Sequence, residues 1–157
     1  MGDRKPPRSA AGEREVLLAL LQYQRESFVR KVEGTTETDA RRVLVGSGTT
    51  LLWLTKHLAV AENLWFRRRF AGEDVELDPD VSPDDTLAEA IDTYRVVWPA
   101  VDAIVASCEL EAEIADPDGG PIPVSLRWIV CHMLEEVARH AGHADILREL
   151  IDGDTGR

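Results

Sequence analysis

The sequence predicts an all-α protein, a four-helix bundle with a long loop between its second and third helices. Four segments of about 20 residues repeat their apolar positions every three to four residues, the period of an α-helix. Gly, Pro and Asp cluster between those segments and mark the turns. No strand pattern competes, apart from a short stretch at 110–114 where Glu111 and Glu113 alternate with apolar neighbours. At 157 residues the chain is one domain, long enough to bury a full core.

Residues 1–10 are polar, carry two prolines and read as a flexible arm. The bundle is expected over 11–152, with a tail at 153–157. The first helix spans 12–32, on the repeat Val16, Leu17, Leu20, Leu21, Gln24 and Phe28, and Gly34 ends it. A short helical turn is expected at 36–42, then a loop at Gly46-Ser47-Gly48. The second helix spans 50–70, with Thr49 or Thr50 as N-cap. The long loop covers 72–83. The third helix is expected to begin at Ser82-Pro83-Asp84-Asp85, where a proline and two acids suit a first turn. Pro99 falls inside it and should kink or split it. Asp116-Pro117-Asp118-Gly119-Gly120-Pro121 is a strong turn. The fourth helix starts near Ser125, and Gly153 closes it.

Composition narrows the function. The net charge is −11, from 29 acidic and 18 basic residues, which argues against a nucleic-acid surface or an anionic membrane. No apolar run is long enough to span a bilayer, and the amino terminus lacks the apolar stretch of a secretion signal. Cys108 and Cys131 form no framework of paired bridges. Both read as reduced thiols of a cytoplasmic protein.

The chemistry concentrates in the fourth helix. Glu136, His140 and His143 recur at i, i+4 and i+7, so at roughly 100° per residue they share about 60° of arc. Ile129, Met133, Val137, Ala144, Leu147 and Ile151 lie on or beside that arc. Arg127, Glu135, Asp145, Arg148 and Glu149 lie opposite. A carboxylate and imidazoles on an apolar face need a partner that offsets desolvation, and a divalent metal is the simplest. In the second helix His57 sits within the stripe Trp53, Leu54, Ala61, Leu64 and Trp65. The plainer reading of each such histidine is a hydrogen-bonded core residue. There is no Glu-x2-His of the di-iron bundles and no His-Glu-x2-His of metalloproteases. One metal held by His57, Glu136 and His140 fits better. That donor set suits zinc best, with nickel or iron(II) as alternatives, and three protein ligands leave an open position.

The runs Leu54-Thr55-Lys56-His57-Leu58 and Arg139-His140-Ala141-Gly142-His143-Ala144-Asp145 resemble the DinB-like superfamily of metal-binding four-helix bundles. The likeness covers about residues 12–152 and is strongest to a branch with the signature Glu-Glu-x-x-Arg-His-x-Gly-His-Ala-Asp. It extends to the amino-terminal fold of mycothiol-dependent maleylpyruvate isomerase and related thiol S-transferases. The isomerase carries a Glu-x3-His that Glu136 and His140 match, and its second-helix ligand corresponds to His57. Its additional carboxy-terminal domain has no counterpart before Arg157, so the resemblance implies a general activity rather than the isomerisation. That activity is transfer of a low-molecular-weight thiol, mycothiol or a similar one, to a small electrophile. The resemblance also implies a homodimer.

Trp53 and Trp65 flank His57 by helical spacing and are candidates to wall the cofactor pocket, with plain core packing as the alternative. His143 is the candidate catalytic residue. It is read as a general base, a fourth ligand, a partner of another ligand, or a side chain bonded to a carbonyl. His132 and Glu135 read as structural and solvated, and Arg67-Arg68-Arg69 as a complement to the helix dipole. The competing function is a metal-binding stress-response or interaction module without catalysis.

Overall fold

The computed structural model describes residues 5–155. It is an all-α bundle with a two-residue hairpin pairing. Its elements are α1 (Glu13–Val32), the single turn α2 (Glu37–Ala40) and α3 (Leu51–Glu62), which continues as a π-helix over Asn63–Phe70. Then follow α4 (Leu87–Ser107), β1 (Glu113–Ile114), β2 (Val124–Ser125) and α5 (Leu126–Asp152). The long helices match the sequence reading closely. Residues 5–10 carry neither helix nor strand. The arm at 1–4 and the tail at 156–157 lie outside the described residues. No helix among those described is long and apolar enough to cross a membrane.

Local chemistry sets the boundaries. Thr50 and Ser125 accept hydrogen bonds from the amides of Trp53 and Trp128 and so cap α3 and α5. Gly153 ends α5 in the left-handed conformation, φ 78°, where a side chain would be strained. The alternating stretch at 110–114 yields β1, which pairs antiparallel with β2, Glu113 opposite Ser125.

Two expectations change. The third long helix begins at Leu87 rather than at Ser82, because Thr86 is the stronger cap. Its hydroxyl accepts from the Glu89 amide and donates to the Glu89 carboxylate at 2.7 Å, a variant of the capping box. Glu37 of α2 also accepts from the Leu87 amide at 2.9 Å. Asp85 instead accepts from the Ser82 amide and holds 82–85 as a turn. Pro99 does not split α4, which runs unbroken from Leu87 to Ser107 with Val97 and Val101 buried on either side of it.

α1 lies along α5 and α3 along α4, with α3 also meeting α5 across the bundle. Leu21, Phe28, Leu52, Leu58, Tyr94, Ile129 and Met133 fill the centre. Asp145, on the face of the fourth long helix opposite the expected ligands, pairs with Lys31 of α1 at 3.0 Å. The long loop is strapped to α3 by Lys56, whose ammonium donates to Asp78 at 2.8 Å, Asp85 at 2.7 Å and the carbonyl of Asp80.

The core also buries an ion pair. Arg25 of α1 and Glu62 of α3 are both fully buried. The guanidinium grips the carboxylate through two N–H groups at 3.0 and 2.5 Å. Tyr94 donates to the same carboxylate at 3.0 Å, and Asp102 accepts from Arg25 at 2.8 Å. Burial pushes the Glu62 carboxyl above its ordinary range, against the pull of the neighbouring guanidinium. It also lifts the Tyr94 phenol. Removing one partner strands the other, whereas removing both leaves only the Tyr94 hydroxyl to find a new acceptor. Arg25→Met should therefore cost about 3–5 kcal/mol in urea unfolding. The double variant Arg25→Met with Glu62→Leu should recover most of that loss. Additive losses in the double-mutant cycle would show that the pair is uncoupled.

Candidate metal centre

The centre forms where α3 and α5 run antiparallel. Glu136 and His140 stand one turn apart on α5, so both side chains leave the helix on one face. His57 meets them from α3. The Glu136 Oε1 accepts from His57 Nε2 at 2.9 Å and from His140 Nε2 at 3.0 Å. One ligand atom from each residue can be chosen so that all lie within 4.8 Å of one another. Ligand bonds of about 2.0–2.1 Å at tetrahedral angles require atoms roughly 3.3 Å apart. Two nitrogens and a carboxylate oxygen already this close fit one divalent ion with small adjustment.

The cluster is sheltered but not sealed. The His140 side chain is 11% exposed, Glu136 23% and His57 31%. His57 thus sits at the rim of the core. The buried stripe of α3 is Leu51, Leu54, Leu58 and Glu62, whereas Trp53 is partly exposed. Electrostatics suit metal binding. Burial alone would raise the Glu136 carboxyl, but the hydrogen bonds and charge of His57 and His140 outweigh it and hold it below its ordinary value. Burial lowers the His140 imidazole, against the attraction of Glu136. Near neutral pH the carboxylate is therefore charged and the His140 ring neutral, the forms in which each ligates.

Trp53 stacks on His57, with ring centroids 4.8 Å apart and planes at 12°, and meets His140 edge-on at 6.4 Å. It forms a wall of the centre. Trp65 lies farther along the seam, in the π-helix and eight residues, about two turns, beyond His57. The amide of Ala71 reaches back five residues to Phe66. Trp65 packs on Trp128 and His132 and receives the Arg69 guanidinium 4.4 Å from its ring centre. His132 is stacked on Trp128 at 4.9 Å. Glu135 is exposed and pairs with Arg139 on the same helix.

His143 faces His140 through the nitrogens that do not point at Glu136, Nδ1 to Nδ1 at 3.2 Å. It is more exposed than the triad. The contact orients His140 from behind. Sequence reasoning missed the Arg25–Glu62 pair. A lone carboxylate between Leu58 and Leu64 was the available signal.

The four-helix bundle, with its His, Glu, His cluster between the second and fourth long helices, is of the DinB-like class. A crystal structure of a conserved protein from Enterococcus faecalis is similar in fold, with a TM-score of 0.66 at 16% identity, over 92% of this chain and all of that one. Residues 16–153 match the sequence profile described as mycothiol-S-transferase, and this chain belongs to that family. A comparison with curated proteins returns no match.

Glu136→Gln removes a charged donor and keeps its shape. It should weaken zinc binding at least tenfold in a competition assay with a chromogenic chelator, with little change in melting temperature. Wild-type affinity in that variant would remove Glu136 from the ligand set.

Proposed function

We propose that this chain is a metal-dependent S-transferase that joins a low-molecular-weight thiol of the mycothiol type to a small electrophile. The observation that carries the reading is the convergence of His57, Glu136 and His140 in a partly exposed cluster, in a chain whose family is described by that activity. The three side chains hold one divalent ion, for which zinc suits the two imidazoles and the carboxylate, with nickel or iron(II) as alternatives. Such an ion, when bound, supplies a charge that favours the thiolate over the thiol, whose free pKa is near 8.5.

The protein's own residues do the rest. Trp53 covers one side of the centre and excludes water from it. His143 holds the His140 ring in place and is a positioning residue for it. The reaction forms a carbon–sulfur bond and breaks the bond between that carbon and its leaving group. The thiol proton passes to solvent and the leaving group departs with the bonding pair.

The test is zinc content and turnover together. Purified protein should carry about one ion per chain, and His57→Ala should lose it. The zinc form should accelerate conjugation of mycothiol to monochlorobimane, and removal of the ion should abolish the acceleration. A protein that binds zinc yet gives no thiol conjugation would instead be a metal-binding module. A protein that takes up no zinc would owe its triad to hydrogen bonding alone.

A further inference from the structure

One cavity lies beyond the triad, and the mechanism above does not use it. It opens between the loop that precedes α3 and the last third of α5, with a volume of about 350 Å³. Its lining is Val45, Ser47, Thr49, His143, Ile146 and Leu147. That volume falls in the range of small-molecule sites.

Three features of this cavity stand out. First, no charged side chain lines it, in a chain with a net charge of −11. Its walls are aliphatic, with two hydroxyls and one imidazole as the polar groups. The other cavities differ. The one between α3 and α4 is lined by Lys56, Glu76, Asp78, Asp85 and Glu89, and the one at α1 and α5 by Lys31 and Asp145.

Second, the cavity continues the α3–α5 seam. Thr49 immediately precedes the N-cap Thr50, and Trp53 of the first turn of α3 stands against His57 and His140. His143 and Leu147 continue the α5 face that carries Glu136 and His140.

Third, His143 belongs to both places. Its Nδ1 meets His140, and the same ring lines the cavity. A neutral imidazole has one donor and one acceptor nitrogen. A metal-ligating histidine donates its second N–H to an acceptor. If His140 ligates through Nε2, its Nδ1–H donates to His143 Nδ1. With Nδ1 accepting, the His143 ring carries its N–H on Nε2 and can donate from there.

We propose that this cavity is the subsite for the electrophile. It takes a small, uncharged, largely apolar molecule with one hydrogen-bond acceptor, which the His143 Nε2–H anchors. This inference rests on the S-transferase reading for the role of the ligand and for the His143 anchor, which donates from Nε2 when His140 ligates, whereas the aliphatic walls need no ion. Anionic electrophiles are disfavoured, since the cavity offers no cation to offset their desolvation.

Acetophenone is a suitable probe, being uncharged, apolar, acceptor-bearing and unreactive toward thiols. Its binding is followed by amide and methyl shifts in NMR titrations of the full chain, with and without zinc. The expected shifts centre on Val45, Ile146 and Leu147. Ile146 is 56% exposed, so Ile146→Trp fills the cavity from its rim without loading the core. That variant should weaken acetophenone binding at least tenfold while its zinc content stays at the wild-type level. His143→Phe keeps the apolar contact but removes the donor, and should weaken binding about threefold to tenfold.

In the zinc form, acetophenone should raise the apparent KM for monochlorobimane and leave that for the thiol unchanged. Equal binding by wild type and Ile146→Trp, or shifts confined to other residues, would overturn the inference. So would an Ile146→Trp variant that turns a dimer into a monomer in light scattering while wild type fails to bind the probe. The patch would then be a contact between two copies of the chain. Failure to take up zinc would overturn the S-transferase reading and the His143 anchor with it, while the comparison of Ile146→Trp with wild type in the zinc-free protein still decides the fate of the apolar cavity.

Discussion

The placement of α3 rests on one buried carboxylate. Glu62 has no route to water, so every lone pair it exposes must be met inside the protein. Arg25 from α1 and Tyr94 from α4 meet them, which ties three helices to one point. Sliding or rotating α3 by one residue would break these contacts and strand a charge in the core. The network adds little net stability relative to a well-packed apolar core, but it penalises alternative registers heavily. His57 lies five residues earlier on the same rigid helix. Its approach to Glu136 and His140 is thus set from the far side of α3.

The seam with α5 shows the same logic at lower burial. Glu136 accepts from both imidazoles through a single oxygen, so the triad is satisfied as it stands. Burial and charge oppose one another on Glu136 and on His140, and both residues end in the state a cation prefers. Trp53 roofs the centre on one side, and His143 steadies it from behind.

Much of this was legible in the sequence because it depends on helical period. The Glu136, His140 and His143 spacing fixes a shared face whatever α5 packs against. Capping residues such as Thr50 and Ser125 act locally and could be read locally. Thr86 was missed because Pro83 and two acids offered an equally plausible start, and only the bonds of Glu37, Ser82 and Lys56 decide between them. Trp65 shares a helical face with His57 by period, but it stands eight residues farther on and packs against Trp128 and His132. Partnerships across the core, such as Arg25 with Glu62, leave no periodic trace. Nor does the loop at Val45, Ser47 and Thr49, whose side chains meet α5 only once the chain is folded.

Lys56 and His57 are neighbours that face different ways, and this has a consequence for which ions the protein can hold. Oxygens of Asp78, Asp80 and Asp85 converge on the Lys56 ammonium. Three such oxygens without the ammonium would make a hard, flexible nest of the kind calcium or magnesium occupies. A covalently tethered cation already fills it. The chain can therefore be strongly acidic without presenting a rival harbour beside its nitrogen-rich centre. The lysine acts as a permanent counter-ion, and among the described residues the one cluster with metal-ligand spacing is His57, Glu136 and His140 on a neighbouring face of the helix.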